Sequence, residues 1–151
     1  MKIEMKRIYI FLLLSEIVCF WVLFLCFPYT IQMQEGEDLF LLTREFLGGV
    51  ISRPQGITFL ISDFLEQFFA TAWAGALIYS LVITLSQWLL FLTLRNLGKT
   101  SFGWLAFFPA LLVVPYSFPF VDMSVNFLFF SLLLYVFTAI KSRIWRTVYT
   151  L

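Results

Sequence analysis

Between two long apolar runs of this chain lies a stretch, 29–73, too polar to cross a bilayer and too apolar to leave one. That juxtaposition constrains the fold more than any other feature. The run 8–27 has only Ser15 and Glu16 as conspicuous polar residues, and its 20 residues match the length a helix needs to span hydrocarbon. Three Pro residues (109, 115 and 119) and the basic clusters after 94 and 140 divide the rest into apolar runs at 70–94, 102–116 and 121–140. The expected fold is all-α and polytopic: four transmembrane helices, with two interfacial amphipathic helices between the first and second crossings.

Composition agrees. Of 151 residues, 62% are hydrophobic and 13% charged, and mean hydropathy is +0.95, beyond what a soluble domain hides in its core. Aromatic residues make up 21% of the chain, and Trp73, Trp104 and Trp145 fall near expected span ends, where indoles anchor at the interface. A net charge of +1 supplies no field to recruit nucleic acid. Histidine is absent, so acid–base chemistry would fall to carboxylates. Cys19 and Cys26 are seven apart on one helix, about 10 Å at 1.5 Å per residue, too far to bridge each other. They read as small apolar packers.

The first run is longer than a signal-peptide core and no small-x-small cleavage site follows it, so it reads as a retained signal anchor ended by Pro28. Pro109 lies inside the short third run and would kink it. Four crossings put both termini on one side. Eight of the ten basic residues then gather there, in the two tails and the 95–99 turn, and only Arg44 and Arg53 lie opposite. By the positive-inside rule both termini are cytoplasmic and 29–73 faces outward, which fits a bacterial inner membrane.

Within 29–73, helical periodicity appears twice. Over 38–51, Leu39, Leu42, Phe46, Leu47 and Val50 share a face. Over 57–69, Leu60, Ile61, Phe64, Leu65 and Phe68 do so, with Ser62, Asp63 and Glu66 on a polar side that reads as solvated. The turn at 52–56 separates them, with Gly56 expected to supply the turn conformation. Both helices are too short to span and are expected to lie in the interface plane.

Candidate chemistry is sparse. Glu35, Glu37 and Asp38 place three carboxylates within four residues, a set that can hold a divalent cation or serve as a base. The simpler account is that acids at the start of the 38–51 helix oppose its macrodipole. Glu16 lies about 12 Å inside the first crossing, at a depth similar to Gln87 and Ser131. A carboxyl there faces protein rather than lipid, and the expected partner is Gln87, with Ser131 nearby; a proton or substrate path through Glu16 is the sharper alternative. Arg53 can bind a phosphate, or simply snorkel to lipid headgroups. Walker, GxSxG, HExxH and CxxC signatures are absent. No cofactor is expected, and the partners expected are the lipid bilayer and further transmembrane helices of this or another chain.

The segment SRPQGITFLISDFLEQFF, the Trp73, Gly75, Ala76, Leu77 helix start and the preceding EGEDLFLLT resemble the N-terminal part of an uncharacterised family of large multi-pass membrane proteins of Bacteroidota. That family's pattern has a Pro-Gly-Gly turn, where this chain has Pro54-Gln55-Gly56, and Pro before the Trp, where this chain has Ala72. The resemblance covers 29–79 and implies that this chain corresponds to the first four crossings of a longer protein; it implies architecture and no reaction, and the role expected of such a module is structural or scaffolding. The layout is also similar to the opening module of GT-C glycosyltransferases. That likeness implies a lipid-linked sugar donor and a role for Glu37 or Asp38 as catalytic base or metal ligand.

Overall fold

A computed structural model describes residues 2–34, 43–108 and 121–140, and among these every regular element is helical. Helix α1 (Lys2–Cys26) breaks at Phe27, and Pro28 opens α2 (Pro28–Gln34). Pro is well placed there, because the first residue of a helix has no use for its N–H. A two-helix unit follows, α3 (Arg44–Ile51) and α4 (Gly56–Glu66), then a 3-10 segment Gln67–Ala70. Helix α5 (Ala72–Asn96), a second 3-10 segment Thr100–Phe107 and helix α6 (Val121–Ala139) complete the order.

Three helices are long and apolar enough to cross a membrane: α1 over Ile8–Cys26, α5 and α6. These match the expected runs 8–27, 70–94 and 121–140 within two residues. The run 102–116 differs. Its first part is 3-10, with a break at Phe102 (φ −95°, ψ 15°), and 109–116 lies outside the described residues.

Helix α5 is the common wall. α1, α2, both 3-10 segments and α6 all pack on it. The core formed there joins Cys19 and Leu23 of α1, Ile31 of α2, Phe69, Tyr79, Val82 and Ile83, and Val121 and Val125 of α6. α1 runs antiparallel to α5: its middle meets the middle of α5 through Ser15–Gln87 and Glu16–Ser80, while Ile31, beyond its end, meets Gly75 at the start of α5. α6 runs parallel to α5, since the two starts share the core and the contact between the two helices is the most extensive in the protein.

Gly75 permits the approach of α2. A Cβ there would stand 2.2 Å from Ile31 Cγ2 and 3.2 Å from the Phe69 ring. Ile31 and Phe69 are both fully buried around it. Periodicity in the sequence did not signal α2, whose place depends on this long-range fit.

The expected helix 38–51 begins later, at Arg44. Thr43 is its N-cap, extended at φ −90° and accepting from Phe46 N at 3.3 Å. The acid in its first turn is Glu45; Glu35, Glu37 and Asp38 lie outside the described residues. At the 52–56 turn the expectation that Gly56 supplies the turn conformation is corrected. Gln55 takes the left-handed conformation, φ 63°, and Gly56 provides space, because a Cβ on it would meet Val50 O at 2.0 Å. A glycine at 55, as in the Pro-Gly-Gly pattern, suits that conformation.

α4 turns its faces opposite to a soluble helix. Gly56, Thr58, Ser62 and Asp63 are buried, whereas Ile57, Phe59, Ile61 and Phe64 are exposed. The buried side lies against α6, with Thr58 beside Asn126 and Ser62 beside Asp122, so α4 runs antiparallel to the first turns of α6. The expectation of a solvated polar face at Ser62 and Asp63 is therefore corrected: it is the face that holds the helix in place.

These observations predict opposite effects at adjacent positions. Gln55→Gly should raise stability by about 0.5–1 kcal/mol by relieving the left-handed strain. Gly56→Ala should lower the thermal midpoint, by separating α3 from α4. Thermal unfolding in detergent compares the two; a Gly56→Ala protein as stable as the parent would contradict the assigned role.

Candidate functional site

The polar side chains inside the helix assembly form two groups. The first joins α1 to α5 near the middle of both. Ser80 donates to Glu16 Oε1 at 2.9 Å, and Ser15 donates to Gln87 Oε1 at 3.1 Å. Gln87 and Ser80 are fully buried, and they share the inner face of α5 with Ser86, while Leu77, Leu81, Leu85 and Trp88 face outward. A polar stripe turned inward and an apolar one turned outward is the arrangement a low-dielectric surrounding selects.

The second group joins α4 and α5 to α6. The Thr58 hydroxyl lies 2.6 Å from Asn126 Oδ1 and 2.8 Å from Gln55 O. Ser62 donates to the Asp122 carboxylate, with the Thr58 and Phe59 carbonyls at 3.0 and 3.2 Å as further acceptors. Between Asp122 and Asn126 in sequence, Ser124 of α6 and Tyr79 of α5 bond each other through their hydroxyls at 3.0 Å. Asp63 is buried beside this group.

The expected trio of Glu16, Gln87 and Ser131 is only partly brought together. Glu16 and Gln87 meet at one interface, but through separate partners, and the Gln87 Nε2 that a direct bond would use has no partner among the described residues. Ser131, though fully buried, donates at 2.8 Å to Phe127 O on its own helix, as serines in apolar helices commonly do. Depth alone had aligned the three; the direction each faces around its helix separates them. Sequence reasoning missed Ser80, whose small side chain carries little signal.

Glu35, Glu37 and Asp38 lie outside the described residues. Among the described residues no three His, Cys, Asp or Glu side chains gather as a metal site. Cys19 is buried in the core and Cys26 exposed, and both are free thiols. An apolar cavity of about 250 Å³ lies between α1 and α5, lined by Leu12, Leu13, Leu81, Leu85, Trp88 and others.

Chemically, the geometry does one thing well: it joins helices. Each cross-helix bond pairs groups that hydrocarbon would leave unsatisfied, worth about 0.6 kcal/mol on average and up to about 1.7 kcal/mol in membrane helices. A Glu16→Ala, Ser80→Ala double-mutant cycle should show coupling in that range, whereas Ser131→Ala should show none with Glu16→Ala. Equilibrium unfolding in bicelles measures both, and coupling confined to Ser131 would refute the pairing.

The model of a family of unknown function, DUF6057, matches residues 3–151. No curated protein and no solved structure matches the chain.

Proposed function

From the chain's membership of the DUF6057 family of unknown function, we propose that it is a multi-pass module of the bacterial inner membrane with a structural, scaffolding role. In this reading it crosses four times, both termini are cytoplasmic, and it forms the N-terminal part of a larger multi-pass protein. The parallel run of α5 and α6 carries the topology. Two consecutive parallel spans need a return crossing, and the 97–120 connection between them contains the apolar run 102–116. Eight of ten basic residues then share the side of the termini. The larger-protein part rests on the resemblance of 29–79.

The scaffolding role is supported by how polar groups are used. Ser15–Gln87, Glu16–Ser80, Thr58–Asn126, Ser62–Asp122 and Tyr79–Ser124 each tie one helix to another. The 29–73 stretch begins and ends outside, while α4, antiparallel to the first turns of α6, sits beside that helix rather than lying flat.

Single cysteines at Gly36, Gly98 and Thr150, in a background of Cys19→Ala and Cys26→Ala, test the topology. Position 36 should react with an impermeant maleimide in intact cells, and 98 and 150 only after permeabilisation. Labelling of 98 and 150 from opposite faces would overturn four crossings. For the role, the remainder of the larger protein without 1–151 should fall several-fold in membrane abundance and recover when 1–151 is co-expressed. Normal accumulation of the remainder alone would end the scaffolding reading.

A further inference from the structure

Three polar atoms of the α1–α5 interface are buried and have no hydrogen-bond partner among the described residues: Glu16 Oε2, Thr84 Oγ1 and Gln87 Nε2. They are not scattered. Ser80, Thr84 and Gln87 follow one another at four and three residues, one stripe of α5, and Glu16 reaches that stripe from α1. Each long side chain is pinned at one end only, Glu16 by Ser80 at 2.9 Å and Gln87 by Ser15 at 3.1 Å, so its free end stays within the interface. Gln87 is fully buried. Residue 16 is near the middle of Ile8–Cys26, and Thr84 is the middle residue of Ala72–Asn96, so the group sits at mid-span.

The identity of the three atoms selects what can satisfy them. Gln87 Nε2 only donates, a carboxylate oxygen only accepts, and the Thr84 hydroxyl does either. A bare cation would face the amide N–H groups, and an anion would face the carboxylate. Water, which accepts from two groups and donates to two, answers all three, and buried water commonly makes about three such bonds. We propose that Glu16, Thr84 and Gln87 form an internal water-binding site that bridges α1 to α5 at mid-span. Thr84 also lines the neighbouring apolar cavity; the apolar walls of that cavity give water no partners, so the site is confined to the polar stripe.

Thr84→Val removes the hydroxyl while keeping the side-chain shape, and this separates the possibilities. With water bound, Thr84→Val should reduce the folded-to-unfolded ratio about tenfold. Its effect should be strongly non-additive with Gln87→Leu, because each variant disrupts the same water. A hydroxyl that is merely unpaired would make Thr84→Val neutral or stabilising and additive with Gln87→Leu, which would overturn the site. Where a variant fails to fold, the unmodified chain still decides: water-edited solid-state NMR in lipid should show transfer from water protons to the Gln87 side-chain nitrogen, and its absence would refute the proposal. A thermal midpoint that shifts with sodium or potassium at constant ionic strength, and loses that shift in Glu16→Gln, would overturn it in favour of a cation held with the amide reversed.

Discussion

Hydrocarbon offers no water to a stranded polar group, and α5 is where this chain meets that constraint. Its inner stripe alternates small residues, which admit neighbours closely, with Ser80, Ser86 and Gln87, which occupy the inside of the assembly. Ile31 fits over Gly75, and Glu16 and Ser15 bond to the middle of the helix. α6 lays its own start along that of α5. Among the described residues α1 makes its main contact with α5, and two hydrogen bonds with the apolar surface around them set its register there.

The same constraint explains what could be read from the sequence and what could not. Span length and charge distribution are one-dimensional properties, and the limits of α1, α5 and α6 followed from them. A helical wheel shows which residues share a face, not where that face points. Ser62 and Asp63 were grouped correctly and directed wrongly, because the rule that polar faces meet water holds only where water is the surrounding. Depth placed Glu16 level with Gln87 and Ser131, yet depth leaves rotation about the helix axis free, and only rotation decides which pairs touch.

Other features depend on contacts distant in sequence. α2 has no period of its own to announce it, and its position follows from a notch at Gly75 more than 40 residues downstream. The α3–α4 turn was legible as a turn, since Pro54 and Gly56 punctuate it. Its internal assignment was not, because a glycine looks the same in sequence whether it supplies a backbone angle or an absence of bulk. Gln55 adopts the angle, and Gly56 lets the turn close against Val50.

The pairing of α4 with α6 has a consequence for the order in which the protein is made. Thr58 and Asn126 are 68 residues apart, and Ser62 and Asp122 are 60 apart. At about 5–20 residues per second, a ribosome completes α4 roughly 3–12 s before Asp122 and Asn126 are added. Through that interval the Thr58 and Ser62 hydroxyls of α4 have only their local backbone carbonyls as partners. Helix α6, made after α4, therefore completes the polar seam of the earlier helix, and the α3–α4 unit reaches its final place only when α6 has packed against it.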